Sequence, residues 1–273
     1  MKTVFWGNCQ SLGVEHFLRK SGFPSEIQSF RNFMVILKEE PFEAVIEATK
    51  KCDLLLVQPT DPHKETHERT RLLINEALPK SARVLFWQPV ACHAYFPLVP
   101  MGGKTAVTAP YDYFGADDIK PFLMAHTLAE TLEAYDAHRM EFRCRWRLHA
   151  SVAEQRRREE NCDVRVADYM FKNPHRRLFL SQNHPTSRIM AEMARQVWKL
   201  ALDRDVQPEW TCDNEINLPC SEPLSQYVIN ELAMDGYAAN PLAHAHFRVF
   251  LNGAWNLAHG EPGVIHDHYP HNE

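Results

Sequence analysis

The first stretch that can carry chemistry is the turn Gly7-Asn8-Cys9-Gln10, close to the beginning of the chain. A short run of β-type residues ends at Gly7 and a helical pattern follows, so the turn joins a strand to a helix. Asn8 is a favoured N-cap residue, which puts Cys9 in the first helical turn, where free N–H groups favour an anion. The thiol of Cys9 is therefore predicted to favour the reactive thiolate. The structural alternative is a small, buried hydrophobic side chain.

A second candidate, His184, lies in the polar run 182–186, between a short apolar run and a helical pattern. Its imidazole titrates near neutral pH, which suits a general base that works with the thiol of Cys9. A packed or helix-capping histidine is the structural alternative.

Four further side chains are candidates for binding substrate. Gln58 follows an apolar run and offers an amide N–H to an oxyanion, or it is only a solvated residue at a strand end. Asp61 can orient a histidine, although the proline beside it equally favours a plain turn. Gln88 ends the next apolar run, and Tyr95 lies in the aromatic loop that follows.

The elements that must position these residues alternate between strand and helix. Continuous apolar runs are typical of strands buried on both faces, so the pattern predicts an α/β fold with a parallel sheet and flanking helices. Strands are predicted at 2–6, 26–30, 53–59 and 83–89, and helices at 11–20, 41–51 and 65–78.

In the flavodoxin-like strand order 2-1-3-4-5, ligands bind where the winding reverses, between the first and third strands. Cys9, Gln58 and Asp61 are predicted to meet there. The loop after Gln88 and the turn at His184 also follow strands, so they are expected to open on the same edge of the sheet.

The second half of the chain predicts a large helical extension. A loop at 90–115 is rich in aromatic residues, which favours an ordered loop near a site. We expect segment 1–116 to be an α/β core with the nucleophile turn, segment 117–205 to return a strand and the His184 turn, and 206–273 to be a C-terminal helix and irregular tail of the same compact unit. Helices are predicted at 119–148, 151–161, 164–171, 187–202 and 224–234, with a short strand at 177–181.

Composition excludes several classes of protein. The chain has 273 residues, 45% of them hydrophobic, and a net charge of −5, so no basic field favours nucleic acid. No apolar run is long enough for a membrane span, and the beginning of the chain does not resemble a signal peptide. Seven scattered cysteines without a C-x-x-C pair predict reduced thiols and a cytoplasmic protein.

Metal and nucleotide motifs are weak. His63 and His67 have helical spacing but no third ligand, and the histidines of the tail 266–271 are equally unspecific, so no metal is predicted. Residues 102–105 resemble part of a phosphate loop, but Leu98 stands where its leading glycine is required.

Taken together, these motifs resemble the capsular polysaccharide biosynthesis family typified by WcbI, a coenzyme A-binding group related to SGNH hydrolases. The matching parts are the turn at 7–10, the loop at 88–97, the helix at 151–168 and the run at 178–186. They occur in the family's order.

The resemblance implies an acyltransferase that O-acetylates a polysaccharide or sugar precursor from acetyl-CoA. Cys9 stands in place of the nucleophilic serine of the SGNH pattern, and His184 matches its late histidine. Ser181 occupies the position of the acid, three residues earlier, and cannot act as one. An amide at Asn183 or Gln182, or a residue elsewhere, is then expected to orient the imidazole.

For the donor, Asn8, Arg176 and Arg177 are the candidate contacts to coenzyme A. The arginine run 156–158 is either a further phosphate contact or a solvated helix face. Backbone N–H groups of the first helical turn, together with Gln58, are expected to hold the oxyanion, and Gln10 is a further candidate for binding the oxyanion or substrate. Two rival functions remain open: a thioesterase or esterase that uses water as acceptor, and a protein that binds coenzyme A or glycan without turnover.

Overall fold

The computed structural model describes residues 1–59, 65–97, 119–217, 224–234, 236–238 and 241–260. These residues form two compact units. The first unit takes the described residues of 1–90, 153–170 and 185–216, and the second takes those of 91–152, 171–184 and 217–260. Asp61, residues 102–105, the tail histidines and most of the predicted loop 90–115 lie outside the described residues.

The first unit is built on a four-stranded parallel sheet with the order β2-β1-β3-β4. This is the predicted α/β architecture, and the order agrees with the first four strands of the predicted 2-1-3-4-5. The two central strands, β1 and β3, are almost wholly buried, because helices cover both faces of a parallel sheet. The strands are β1 (Lys2–Gly7), β2 (Glu26–Arg31), β3 (Leu54–Val57) and β4 (Arg83–Phe86).

Helices of this unit follow the predicted pattern, with one addition. The short helix α2 follows β2 directly, and the predicted helix at 65–78 ends in a wider, π-helical turn at Leu73–Ala77. The helices are α1 (Gln10–Lys20), α2 (Asn32–Ile36), α3 (Phe42–Thr49), α4 (Glu65–Leu72) and, later in the chain, α9 (Ser187–Leu202).

Helices of the first unit pack on the sheet and on one another. Alternate residues of β1 and β3 share one face of the sheet and pack in an apolar cluster with side chains from α2 and α3. α1 packs closely on α9, where a Cβ atom at Gly13 would lie 2.9 Å from the sulfur of Met190. Trp198 of α9 meets Phe23 edge to face and donates its indole N–H to Ser21 Oγ.

The prediction of a fifth strand in this sheet is wrong. Val164 takes the place beside β4 through a single bridge to Trp87, and the N–H groups of Asp163 and Val164 both donate to the carbonyl of Phe86. The predicted strand at 177–181 instead forms β5 (Phe179–Ser181), which pairs with β6 (His184–Pro185) in a separate two-stranded sheet. The sheet-edge argument therefore does not apply to His184.

The predicted helix at 119–148 is also wrong, because local capping divides it. Thr127 and Glu130 form a capping box that starts a new helix, and His138 and Arg143 have positive φ values that interrupt helical geometry. The segments are α5 (Lys120–Ala125), α6 (Leu128–Asp136), α7 (Cys144–Arg158) and α8 (Ala167–Lys172).

The second unit has its own aromatic core. Tyr135 stacks on Tyr227, whose hydroxyl donates to the carbonyl of Tyr135, and Phe142 meets the edge of the same ring. The C-terminal helices of this unit are α10 (Gln226–Glu231) and α11 (Pro241–Ala258). Among the described residues, no helix is long and apolar enough to cross a membrane.

Candidate active site

The turn after β1 is shaped by a close approach of the tryptophan that follows β4. A Cβ atom at residue 7 would lie 2.6 Å from Cζ2 of Trp87 and 3.4 Å from Cβ of Gln58. Any side chain larger than hydrogen would displace the buried indole, so glycine is required at this position. Gly7, Gln58 and Trp87 thus lie together at the carboxyl edge of the sheet, where ligands bind in open α/β folds.

The predicted cap is wrong by one residue, because Cys9 and not Asn8 is the N-cap residue of α1, and it makes no side-chain capping hydrogen bond. Asn8 forms the turn just before it. Its Oδ1 accepts the N–H of Gln10 at 3.0 Å, and its carbonyl accepts the N–H of Ser11 at 3.1 Å. Cys9 lies between them with helical dihedral angles, φ −58° and ψ −22°, and the helix begins at Gln10, one residue earlier than predicted. The backbone therefore places the thiol at the beginning of α1.

The expected preference for thiolate at Cys9 is wrong. Burial raises the pKa of the Cys9 thiol above its ordinary value, because desolvation penalises the charged form. The N–H groups of Cys9 and Gln10 and the positive charge of Arg31 lower this pKa, but by less than burial raises it. A nucleophilic Cys9 therefore needs a base to remove its proton.

Arg31 is a neighbour of this turn that the sequence did not single out. It ends β2 directly beside Gly7 in the parallel register, and its guanidinium pairs with Glu40 at 3.0 Å. Register places it at the same strand ends as Cys9, which explains its electrostatic effect on the thiol. The signal available in sequence was an arginine at the end of a predicted edge strand, which is common on any surface.

Gln58 presents a donor with no partner. Its Oε1 accepts the N–H of Asn8 at 2.8 Å, which fixes the orientation of the carboxamide. Its Nε2 is buried and makes no hydrogen bond to the described residues, and the whole residue is only 3% exposed. A buried N–H₂ without a partner is unusual, and it agrees with the predicted role of Gln58 as a donor to a ligand oxygen.

Gln10 and Gln88 have partners within the protein. The carboxamide of Gln10 forms two hydrogen bonds with the backbone of Val90, each 2.9 Å long, which tie the chain after β4 to α1. Gln88 Oε1 accepts from Arg158 at 3.3 Å. These contacts give Gln10 a structural role that the sequence did not predict, and they bring one arginine of the 156–158 run to the end of β4.

His184 lies in the hairpin of the second unit. Two residues, Gln182 and Asn183, turn the chain between β5 and β6, and this places Ser181 opposite His184. The Oγ atom of Ser181 is 2.6 Å from Nδ1 of the imidazole. His184 is largely buried, which lowers its pKa because the charged imidazolium is poorly solvated.

The sequence left the residue that orients the imidazole open between an amide and a residue elsewhere, and in the structure the hydroxyl of Ser181 contacts the ring. Ser181 contacts Nδ1, and Ser181 Oγ–H donates in turn to Oδ1 of Asn183 at 3.4 Å. In the tautomer that carries its proton on Nδ1, Ser181 Oγ accepts from Nδ1–H while its own hydrogen points to Asn183 Oδ1, and Nε2 keeps its lone pair. This tautomer is the one that a general base requires.

His93 is a second imidazole that the sequence analysis missed. Gln182 donates from Nε2 to its Nδ1 at 3.1 Å, and the N–H of Cys92 donates to the carbonyl of Gln182. Burial and the nearby charge of Arg147 lower the pKa of His93 to about 4, so it is neutral at physiological pH. Gln182 is thereby held by His93, and no sequence pattern marked this contact.

The remaining candidates of the second unit differ in exposure. Tyr95 is fully buried and its hydroxyl donates to the carbonyl of Arg176 at 3.0 Å, so its ring is part of the core. Arg176 has an exposed side chain, whereas Arg177 donates from Nε to the carbonyl of Phe179 at 3.2 Å. Among the described residues, no three potential metal ligands lie together.

Comparisons with known proteins decide the family. A family model described as polysaccharide biosynthesis enzyme WcbI matches residues 2–202. The chain belongs to the WcbI family. A solved structure of WcbI, a novel polysaccharide biosynthesis enzyme, is 19% identical and aligns with a TM-score of 0.67 over 95% of this chain and 94% of its own. It is described as native protein without a disulfide bond between coenzyme A and one of its cysteines.

The WcbI match confirms the resemblance that the turn at 7–10 and the run at 178–186 indicated. At this identity the solved structure shows the fold alone, and it agrees with the parallel sheet and its helices. No curated protein matches the chain. The family match includes both Cys9 and His184 and ends before residue 206. The chain is thus a member of a family of polysaccharide biosynthesis enzymes.

Proposed function

We propose that this protein is a coenzyme A-dependent acyltransferase that transfers an acetyl group from acetyl-CoA to a hydroxyl of a polysaccharide or sugar precursor. The observation that carries the proposal is the turn after β1, where the Cys9 thiol begins a helix next to the unpartnered amide donor of Gln58. A WcbI structure whose description mentions coenzyme A and a cysteine supports the choice of donor.

The first half-reaction is attack of the Cys9 sulfur on the thioester carbonyl. A new S–C bond forms, the carbonyl electron pair moves onto oxygen, and its return expels the coenzyme A sulfur. Because the thiol pKa is raised, neutral His184 is assigned to remove the thiol proton and pass it to the leaving group. One thioester replaces another, so positioning matters more than driving force.

In the second half-reaction the acceptor hydroxyl attacks the acetyl group on Cys9. His184 takes the hydroxyl proton, the oxyanion forms again, and its collapse regenerates the thiol. Arg176, Arg158 and Arg31 are assigned to coenzyme A phosphates, since the side chain of Arg176 is exposed and the other two lie at strand ends of the first unit.

Release of free coenzyme A from acetyl-CoA, measured with and without sugar acceptors, tests this function. Acetyl transfer predicts that a panel of mono- and oligosaccharides contains acceptors that raise the rate of release and gain an acetyl group by mass spectrometry. Release that is independent of any acceptor indicates the hydrolase. Absence of release, together with thermal stabilisation by coenzyme A, indicates a binding protein and contradicts the proposal.

Ser181→Asp tests the assignment of Ser181 as the residue that positions His184. A carboxylate beside Nδ1 stabilises the imidazolium, so we expect the pKa of His184 to rise by about 1–3 units. The acid limb of the rate of coenzyme A release then moves to higher pH. The direct measurement is an NMR titration of the imidazole C–H signals, with His184→Gln to assign the resonance.

Ser181→Ala is the matched control for this titration, because it removes the hydroxyl without adding charge. It should not raise the pKa of His184. An unchanged pKa in Ser181→Asp would contradict the contact between residues 181 and 184.

A further inference from the structure

Three tryptophans are buried in the first unit, and one of them differs from the other two. Trp6 donates its indole N–H to Thr70 Oγ1 at 2.8 Å, and Trp198 donates to Ser21 Oγ at 2.8 Å. Trp87 is 1% exposed, and its Nε1 makes no hydrogen bond to the described residues. The indole N–H groups of Trp6 and Trp198 thus have hydrogen-bond partners within the fold, whereas that of Trp87, at the carboxyl edge of the sheet, has none among the described residues.

A second buried donor near Trp87 also lacks a hydrogen-bond partner. Gln58 Nε2 is the other buried donor without a partner at this edge, and the hydrogen bond from Asn8 to Oε1 prevents the carboxamide from presenting its oxygen instead. Both side chains adjoin Gly7, because a Cβ atom there would contact Trp87 at 2.6 Å and Gln58 at 3.4 Å. Two donors thus remain unsatisfied around one glycine, two residues before Cys9.

We propose that the indole N–H of Trp87 and the carboxamide N–H of Gln58 together bind one acceptor oxygen of the ligand, the thioester carbonyl oxygen that becomes an oxyanion. This inference rests on the proposed acyl transfer and adds Trp87 to its catalytic residues. As the Cys9 S–C bond forms, the carbonyl electron pair moves onto the oxygen held by the two N–H groups. It returns when the coenzyme A sulfur leaves.

The chemistry of the two groups limits what can bind. The N–H groups of Trp87 and Gln58 are neutral donors, and neither side chain offers a free acceptor. They can therefore bind a carbonyl oxygen or an oxyanion, but they cannot accept a proton from a hydroxyl or an amine. Because both donors are buried, their hydrogen bonds to the oxygen become stronger as negative charge develops on it, and this is what stabilises a transition state. Glycine at residue 7 lets the indole of Trp87 lie directly against the backbone of this turn.

The test compares alkylation of Cys9 by iodoacetate, which carries a carboxylate, with alkylation by iodoacetamide. Rates are read from the Cys9 peptide by mass spectrometry, so no acyl acceptor is needed. Trp87→Phe keeps the ring and removes the N–H, and we expect the ratio of the iodoacetate rate to the iodoacetamide rate to fall about tenfold. Gln58→Glu keeps the bond to Asn8 but replaces the donor by an anion, and the ratio should fall further.

Two controls separate this role from a structural one. Gln207→Glu adds the same charge at an exposed position and should leave the ratio unchanged. Trp198→Phe loses buried ring volume and the bond to Ser21, so its melting temperature should fall further than that of Trp87→Phe, which loses ring volume but no bond within the described residues. An unchanged ratio in Trp87→Phe overturns the proposal.

The alkylation ratio also distinguishes failure of this inference from failure of the proposed function. If the ratio falls in Trp87→Phe but wild-type protein never releases coenzyme A from acetyl-CoA, the oxygen site is supported and acyl transfer is contradicted. If release is normal and the ratio does not change, Trp87 is excluded from the site and acyl transfer stands.

Discussion

Cys9→Ser is expected to abolish exchange of isotopically labelled coenzyme A into acetyl-CoA. Formation of an acetyl-cysteine is reversible, so the wild-type protein should catalyse this exchange without any sugar acceptor. Serine at the same place keeps the helix start but is a much weaker nucleophile, and we expect the rate to fall about a thousandfold or more. The measurement is the labelled fraction of acetyl-CoA over time.

Cys212→Ser is the matched control, since Cys212 is exposed in the first unit. It should exchange at the wild-type rate. Normal exchange in Cys9→Ser would exclude a covalent intermediate on this residue. Loss of exchange in both variants would point to a general effect of the substitutions.

His184→Gln is expected to lower the rate of the same exchange by about a hundredfold or more, because it removes the proposed general base. In the wild-type protein, burial lowers the pKa of His184, so the imidazole stays neutral to a lower pH than an exposed histidine. The acid limb of the rate should therefore lie below pH of about 6.5, the ordinary midpoint of histidine. His184→Gln should lose this limb together with the rate.

His149→Gln is the matched control, because His149 is exposed in the same unit, where its ring meets Phe171 edge to face. It should keep both the rate and the pH profile. Combining His184→Gln with Cys9→Ser should cost little more than Cys9→Ser alone, as expected for residues that act as one catalytic group. Fully additive losses would contradict a shared role.

The sequence predicted the first unit well because its signals are strong. Continuous apolar runs such as 53–57 are required by a strand buried on both faces, and Gly7-Asn8 is a typical strand-to-helix turn. The position of Val164 beside β4 was not predictable, because a single bridge leaves no pattern of its own. The division of the helix at 119–148 depends on the capping box at Thr127, a local signal that competed with a longer apolar pattern.

At the candidate site, too, the sequence could predict some features and not others. Cys9, Gln58 and His184 could be selected by residue type and by their place at predicted strand ends. The raised pKa of the Cys9 thiol could not, because it is a balance between burial and nearby positive groups that only coordinates provide. The contact of Ser181 with His184 depends on a two-residue hairpin, and the open N–H of Trp87 is visible only once its neighbours are placed.

The most direct test of the central claim is the intact mass of the protein, quenched in acid soon after mixing with acetyl-CoA in the absence of a sugar. The account predicts one acetyl group per chain, mapped to the Cys9 peptide and removed when free coenzyme A is added before the quench. Absence of any acetyl group on Cys9, in protein that still transfers acetyl to an acceptor, would contradict it.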